Sequence, residues 1–346
     1  MPGGTPLRRA TRPDFRFLRH SLRREYHARD ALSALELGRF PTWEKHAPAI
    51  LKCDAEPHTN LPHLTSVPSE NQAPLRVAAI SFLNPAPLMY SFEHTQQLAG
   101  RYTLEYMVPS QCAANLLAGR ADLGLIPIAA LTPELAIVPG CVIASLDHVR
   151  SILLIVKAPH TLATVKTMAA DTASRSSVAY SQVLFRHFFG TDPAVIPTPA
   201  DVAAMLAQAD SALVIGDAAL LALENREVIE SAVGPCTWLD VAHEWRSLTG
   251  LPWVAAVWAV RPEAVADPAR LVADLNRSRE LGMEHIDAIV EAWTPRIALS
   301  ATSIRSYLTE NIHYTLDDEC AQAIQLFRRL AAETGTLPEL PQLRFL

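Results

Sequence analysis

The chain has 346 residues, of which 49% are hydrophobic, so it is long enough for two domains with well-formed cores. Its 36 acidic and 30 basic residues give a net charge of −6, which argues against a nucleic-acid-binding surface. No apolar run approaches the ~20 residues that a membrane-spanning helix needs. The composition therefore indicates an ordinary globular protein.

The five cysteines are scattered through the chain and never form a C-x-x-C pair. An odd number of isolated cysteines is typical of reduced thiols rather than of a disulfide framework or a zinc site. The N-terminus has no apolar core behind Arg8 and Arg9, as a secretory signal would have. We therefore expect a cytoplasmic protein.

Residues 1–74 form an extra head with a small basic excess and little sustained periodicity. Several prolines interrupt the polar approach to the first strand, as is typical of a linker. Two interpretations stay open, a poorly ordered or loosely packed head and an arm that binds a partner or a second copy. Nothing in the head indicates a catalytic role.

From residue 75 onward strands and helices alternate, which predicts a mainly parallel sheet. The predicted strands of a first unit are 77–80, 102–108, 121–126 and 149–156, and its helices lie near 87–98 and 109–117. Small polar residues lie at the ends of these elements: Ser81 and Asn84 follow the first strand, Ser110 is placed to cap the second helix, and Ser151 lies at the start of the last strand. Whether the Ser151 hydroxyl faces the core or a ligand stays open.

A second unit repeats this order of elements. It comprises predicted strands at 164–170 and 211–215, helices at 178–189, at 201–208 and from 216, and a returning strand at 253–260 before a helical tail. Two α/β lobes, 75–157 plus 253–346 and 158–252, predict a clamshell with a ligand cleft between them. One continuous doubly wound sheet is the alternative.

The polar loop 171–177 has two interpretations. Hydroxyl and carboxylate residues commonly cap a helix, and one cap needs one such group. Four hydroxyls, a guanidinium and the free N–H groups of the next helix could instead converge on an anion. These groups belong to Thr172, Ser174, Arg175, Ser176 and Ser177.

Asn84 and Asp217 each follow a predicted strand. Asn84 can stabilise an Asn-Pro turn, but its amide also offers donors and an acceptor beside Ser81. Asp217 can cap the helix that follows, or accept a hydrogen bond from a ligand hydroxyl. The sequence has no nucleotide-binding glycine motif and no nucleophile elbow, and its histidines show no metal-ligand spacing, so we expect neither cofactor nor metal.

Five segments, in the same order, resemble chorismate dehydratase, an enzyme of the futalosine route to menaquinone. They are Phe82-Leu83-Asn84-x-x-Pro87-Leu88, Asp171-Thr172-x-Ser174-Arg175-x-Ser177-Val178, residues 213–220, residues 244–252 with 256–259, and Tyr307-Leu308-x-Glu310-Asn311-Ile312. The resemblance implies a type II periplasmic-binding-protein fold and a lyase without a cofactor. Its substrate would be the dicarboxylate chorismate, which loses water to give 3-[(1-carboxyvinyl)oxy]benzoate.

On this resemblance Asn84 and Asp217 are the predicted catalytic residues, although an amide cannot take a proton. The base is then either Asp217 or the enolpyruvyl carboxylate of the substrate itself. The predicted substrate-binding residues are Ser81, Ser110, Ser151, Thr172, Ser174, Arg175, Ser176 and Ser177. The oligomeric state stays open.

Two features depart from the family pattern. The head is additional, and Asp147-His148 stand where the family commonly has Gly-Pro. Two other functions are compatible with the same fold. One is the related 1,4-dihydroxy-6-naphthoate synthase, whose chemistry would more naturally need a histidine in the cleft. The other is a non-catalytic protein that binds a small carboxylate.

Overall fold

A computed structural model describes residues 73–171, 175–340 and 342–346. Residues Ala73–Leu346 form a compact unit by themselves. The predictions for the head, and those for Thr172 and Ser174, lie outside the described residues. Within those residues, no helix is both long and apolar enough to cross a membrane.

The first sheet has six strands in the order β11-β4-β10-β3-β1-β2. Their bounds are β1 Leu75–Ile80, β2 Tyr102–Met107, β3 Leu123–Pro127, β4 Ala136–Ser145, β10 Trp253–Val260 and β11 His313–Leu316. Strand β1 is parallel to β2 and β3, whereas β10 runs antiparallel to β3 and β4, and β11 antiparallel to β4. The last four residues of β1 and all of β3 are buried, so this part of the sheet is covered on both faces.

The second sheet has five strands in the order β7-β6-β8-β5-β9. Their bounds are β5 Ile152–Lys157, β6 Thr167–Asp171, β7 Ala194–Thr198, β8 Ser211–Ile215 and β9 Cys236–Asp240. Strand β6 is parallel to β7 and β8, and β5 is antiparallel to β8 and β9. The chain thus enters this sheet after β4 and leaves it before β10.

Eleven α-helices of the described residues surround the two sheets. They are α1 Ala86–His94, α2 Pro109–Leu117, α3 Ser176–Val183, α4 Val202–Gln208, α5 Gly216–Glu224, α6 Arg226–Val233, α7 Val241–Thr249, α8 Pro268–Glu284, α9 Ile286–Trp293, α10 Ala301–Ser306 and α11 Asp318–Glu333. A π-helical turn continues α3 over Leu184–Phe189, and another continues α10 over Tyr307–Asn311.

Two sequence-based predictions about the sheets were wrong in detail. The sheets are mixed rather than mainly parallel, because β5 and β10 run antiparallel to their neighbours. The chain enters the second sheet at β5 and returns to the first at β10. Strand β5 was placed in the first lobe by the boundary at residue 157, yet it pairs with β8 and β9 in the second sheet. The division between the sheets therefore falls between β4 and β5.

An aromatic cluster holds α3 of the second unit against the first sheet. The Tyr180 ring on α3 packs on Trp245, Trp253 and Phe327, with ring centroids 4.0–5.5 Å apart. Its hydroxyl accepts a hydrogen bond from the Val254 N–H at 3.4 Å. Because Trp253 begins β10 and Phe327 lies on α11, the start of α3 has a fixed position beside the first sheet.

Candidate functional site

A cavity lies between the two sheets, with an empty volume of about 490 Å³ counted out to its open mouth. Ile80, Pro127 and Ile215, which line it, are the last residues of β1, β3 and β8. It is also lined by Phe82, Asn84, Pro109, Ile143, Ser151, Ile152, Arg175, Ser176, Ser177, Gly216, Ala255 and Ala256. The carboxyl ends of strands from both sheets thus open onto one mostly apolar cleft, the usual place for a small-molecule site in an α/β protein.

Asn84 lies in the turn between β1 and α1, and its side chain reaches the cavity. Its backbone carbonyl accepts a hydrogen bond of 2.9 Å from the Tyr314 hydroxyl on β11. The turn is therefore held through the main chain. The Asn84 amide also forms a side-chain hydrogen bond with the Tyr307 hydroxyl, and its remaining donor and acceptor positions are available to a molecule in the cleft.

Phe82 is a lining residue that the sequence reasoning did not select. Its ring packs on Gly216, where a Cβ atom would lie 3.0 Å from the ring carbons. Gly216 also has φ +61°, a conformation that favours glycine. Glycine at this position therefore allows Phe82 of the first unit to approach the start of α5 closely.

Ser151 is buried at the start of β5, lines the cavity and contacts Tyr307, another residue that the sequence reasoning missed as a site residue. Burial raises the pKa of Tyr307 well above its usual range, so the phenol stays protonated. It donates a hydrogen bond of 2.8 Å to the Ser151 Oγ. Because the Ser151 Oγ accepts this bond, its own proton remains available for donation to a molecule in the cavity that Ser151 lines.

Asp217 does not cap α5, as one interpretation of the sequence held. Ile215 occupies the N-cap position, and Asp217 lies in the first turn with its carboxylate accepting from the Leu83 N–H at 3.2 Å. Burial raises the pKa of this carboxyl group, and the hydrogen bond from Leu83 lowers it by a smaller amount. Asp217 therefore links the second unit to the turn that carries Asn84, and it is not among the residues that line the cavity.

Two hydroxyls at the start of α3 have different surroundings. The Ser176 hydroxyl accepts from the Ala129 N–H and donates to the Ala255 carbonyl, both at 3.2 Å. Ser176 therefore joins α3 to the first unit. Ser177 is equally buried and lines the cavity, and its hydroxyl has no hydrogen-bond partner among the residues that the structure describes.

Arg175 occupies the N-cap position of α3 and is exposed at the cavity. It forms no ion pair within the described part of the chain, and it is the only charged residue among the described ones that line the cavity. Its guanidinium and the free N–H groups at the start of α3 therefore provide an anion-binding side to an otherwise neutral cleft.

Ser81 and Ser110 are not placed as predicted. The exposed Ser81 donates from its hydroxyl to the Met107 carbonyl at 3.3 Å, which keeps that side chain along the sheet edge. Val108, rather than Ser110, is the N-cap residue of α2, because Pro109 already has helical geometry. Neither serine lines the cavity. Among the described lining residues, Asn84 is therefore the polar one that the first unit contributes.

The contrast between the two serines predicts a difference in stability. Ser176→Ala should lower the free energy of unfolding by about 1–3 kcal/mol, because it leaves the Ala129 N–H and the Ala255 carbonyl without their partner. Ser177→Ala, the matched control, should change it by no more than about 0.5 kcal/mol. Urea unfolding of both variants measures this, and equal stabilities would show that the Ser176 contacts do not hold the units together.

Comparison with known proteins supports the architecture. A family model described as menaquinone biosynthesis matches residues 75–333. Over 273 residues the chain is 28% identical to the chorismate dehydratase of Thermus thermophilus. This match covers 75% of this chain and 94% of that relative.

Two solved structures have a similar fold. One, from Archaeoglobus fulgidus, matches with a TM-score of 0.62 at 14% identity, over 77% of this chain and 99% of its own. The other is the periplasmic aliphatic sulphonate binding protein SsuA of Escherichia coli, with a TM-score of 0.56 at 18% identity, over 80% of this chain and 94% of its own. These matches confirm the prediction of a two-lobed, periplasmic-binding-protein-like fold.

Proposed function

Because the chain belongs to the menaquinone biosynthesis family, we propose that its cleft removes water from chorismate to give 3-[(1-carboxyvinyl)oxy]benzoate. The similarity to a chorismate dehydratase along most of both chains supports this reaction. The observation that carries the proposal is the division of the cleft into one cationic side, at Arg175 and the start of α3, and one neutral polar side, at Asn84 and Ser151.

The cationic side suits the ring carboxylate of chorismate. In the elimination, the hydrogen on the ring carbon that bears the enolpyruvyl ether leaves as a proton. The electron pair of that bond is conjugated through the ring double bond with the ring carboxylate. Arg175, the Ser177 hydroxyl and the N–H groups of α3 would stabilise the negative charge that develops there. Loss of the neighbouring hydroxyl then forms the aromatic ring, and the proton and the hydroxide leave together as water.

The lack of a cation on the neutral side of the cleft indicates which group removes the proton. With Arg175 bound to the ring carboxylate, the enolpyruvyl carboxylate has no cationic partner among the described lining residues, so its basicity is not reduced by an ion pair. The Asn84 amide and the Ser151 hydroxyl would hold this carboxylate and the leaving hydroxyl in place. We therefore propose that the enolpyruvyl carboxylate takes the proton while the protein fixes its geometry.

Asp217→Asn distinguishes this base from the alternative. The amide oxygen can still accept from the Leu83 N–H, so the variant should fold and retain turnover within about tenfold of the native rate. A loss of three or more orders of magnitude in a folded variant would identify Asp217 as the base instead.

The same variant should change how stability depends on pH. The pKa of Asp217 is raised in the folded protein, so the folded state holds this proton more tightly than the unfolded chain does. The stability that it contributes is complete below the ordinary carboxyl pKa and is lost as the pH rises through the folded-state pKa. Stability curves of Asp217→Asn should lack that fall, and an unchanged curve would contradict the raised pKa.

Proton NMR of the full-length protein with chorismate tests the reaction and its rivals. We expect the ring protons of a meta-substituted benzoate, with the enolpyruvyl methylene protons retained. Saturable binding with no new ring protons would support a non-catalytic carboxylate-binding protein. The naphthoate synthase alternative is less well supported, because no histidine is among the described residues that line the cavity.

A further inference from the structure

Asp147, His148 and His243 meet on the surface, outside the cleft residues described above. Asp147 and His148 follow β4 in the segment that leads to β5, and His243 lies in the first turn of α7. The three side chains are 57%, 53% and 30% exposed. One ligand atom from each of them lies within 4.8 Å of the corresponding atoms of the other two.

The two imidazole rings are stacked, with centroids 4.1 Å apart and planes 5° from parallel. The Asp147 carboxylate lies at their edge, with Oδ1 2.6 Å from the His243 Nδ1 and Oδ2 3.9 Å from the His148 Nε2. Parallel stacked rings direct their nitrogen lone pairs side by side, so a shared ion requires rotation of the imidazoles. Two imidazoles and a carboxylate this close together then form a ligand set suited to Zn²⁺ and to other divalent transition metals.

The main chain around this cluster is held by contacts that do not use the ligand atoms. The Asn311 amide donates to the His148 carbonyl at 3.0 Å. Asp240 is the N-cap of α7 and accepts from the N–H groups of Ala242 and His243, while its other oxygen accepts from the Arg150 N–H at 2.7 Å. Both histidines are therefore positioned by the fold, and only side-chain rotation is needed to adjust their nitrogens.

The local charge also favours a cation. The Asp240 Oδ2 lies 3.9 Å from the His148 Nδ1, so a second carboxylate stands behind the ring. A carboxylate on the far side of a ligating histidine is a common arrangement in metal sites, because it orients the ring and makes its nitrogen a better ligand. Arg150, two residues after His148, has its guanidinium 3.5 Å from Glu224.

We propose that Asp147, His148 and His243 bind one divalent transition-metal ion, such as Zn²⁺, with water completing its coordination. The ion would tie the segment that leads from the first sheet to the second to helix α7 of the second unit. It lies outside the cleft, so it would affect the joining of the units rather than the reacting atoms.

A second group with ligand-type atoms provides the matched control. His313, Asp317 and Cys320 are also close together, but this group is less suited to a metal because its carboxylate caps a helix and its thiol is buried. Asp317 caps α11 through the Cys320 N–H and pairs with the His313 Nε2 at 3.0 Å. Burial raises the pKa of the Cys320 thiol, so that thiol is a poor metal ligand at neutral pH.

Calorimetric titration of the full-length protein with Zn²⁺ tests the site, with His148→Asn, His243→Asn and His313→Asn compared in parallel. We expect the native protein and His313→Asn to bind the same number of ions. Each of the other two variants should bind one ion fewer, or bind it at least about tenfold more weakly. Both of these histidines are partly exposed, so the substitutions should leave the fold intact, which circular dichroism checks.

Titration with Co²⁺ identifies the ligands independently. The visible bands of the bound ion should appear without thiolate charge-transfer absorption, and they should be lost in both His148→Asn and His243→Asn. Unchanged binding in these two variants, loss in only one of them, or loss in His313→Asn would each overturn the proposal.

Discussion

Replacing Asn84 with alanine is expected to lower kcat for chorismate dehydration by about 10²–10³-fold, the usual cost of removing one donor that stabilises a transition state. Among the described residues that line the cavity, Asn84 is the only side-chain amide, and it faces the proposed position of the leaving hydroxyl and the enolpyruvyl carboxylate. The Tyr314 hydroxyl holds the turn through the Asn84 carbonyl, so the turn should keep its position although the side-chain contact with Tyr307 is lost.

Initial rates with chorismate, followed by ultraviolet absorbance, measure this effect. Asn225→Ala is the matched control, because the Asn225 amide donates to the Leu221 carbonyl at the exposed end of α5. The control should keep the native rate. A rate for Asn84→Ala within a factor of three of the native one would remove Asn84 from the proposed mechanism.

Replacing Arg175 with alanine is expected to lower kcat/KM by about 10–150-fold, since a hydrogen bond to a charged group is worth about 1.5–3 kcal/mol. Part of the loss should appear in KM, because the ring carboxylate loses its cation in the ground state. The rest should appear in kcat, because negative charge grows on that carboxylate in the transition state.

Arg175→Lys separates charge from geometry in this experiment. Lysine keeps the positive charge but not the bidentate donor pair, so an intermediate kcat/KM is expected. Arg329→Ala, on α11 and outside the cavity, should behave as the native protein. An effect of Arg175→Ala no larger than that of Arg329→Ala would contradict the assignment of the cationic side.

Much of this arrangement could be predicted from local sequence. The apolar run that ends at Ile80, followed by a polar turn and a helix, predicted both a strand and a ligand-binding edge, and the structure has β1, the turn and α1 there. Strands β8 and β10 have the predicted bounds. Local sequence is sufficient for such elements, because burial and turn chemistry act over a few neighbouring residues.

Contacts between distant residues could not be predicted in the same way. Tyr307 reaches Ser151 across 156 residues, and Ser176 reaches Ala255 across 79. Nothing near Ser176 in the sequence distinguishes its contacts from those of Ser177. The same limit applies to Asp147 and His243, which are 96 residues apart and form no local metal-ligand spacing.

Some strands were missed for local reasons. Strand β4 contains Pro139 and Gly140, which interrupt the pattern expected of a strand, and β11 has only four residues. Strand β4 lies next to β10, and β11 lies next to β4 at the edge of the first sheet. Without them the antiparallel part of that sheet was not apparent, and a mainly parallel sheet was predicted instead.

Mass spectrometry of chorismate incubated with the full-length protein tests the central claim most directly. The proposed function predicts a product that is lighter than chorismate by one water and that accumulates over many turnovers, together with an aromatic ultraviolet spectrum. Chorismate that remains unchanged in the presence of folded protein at substrate excess would contradict it.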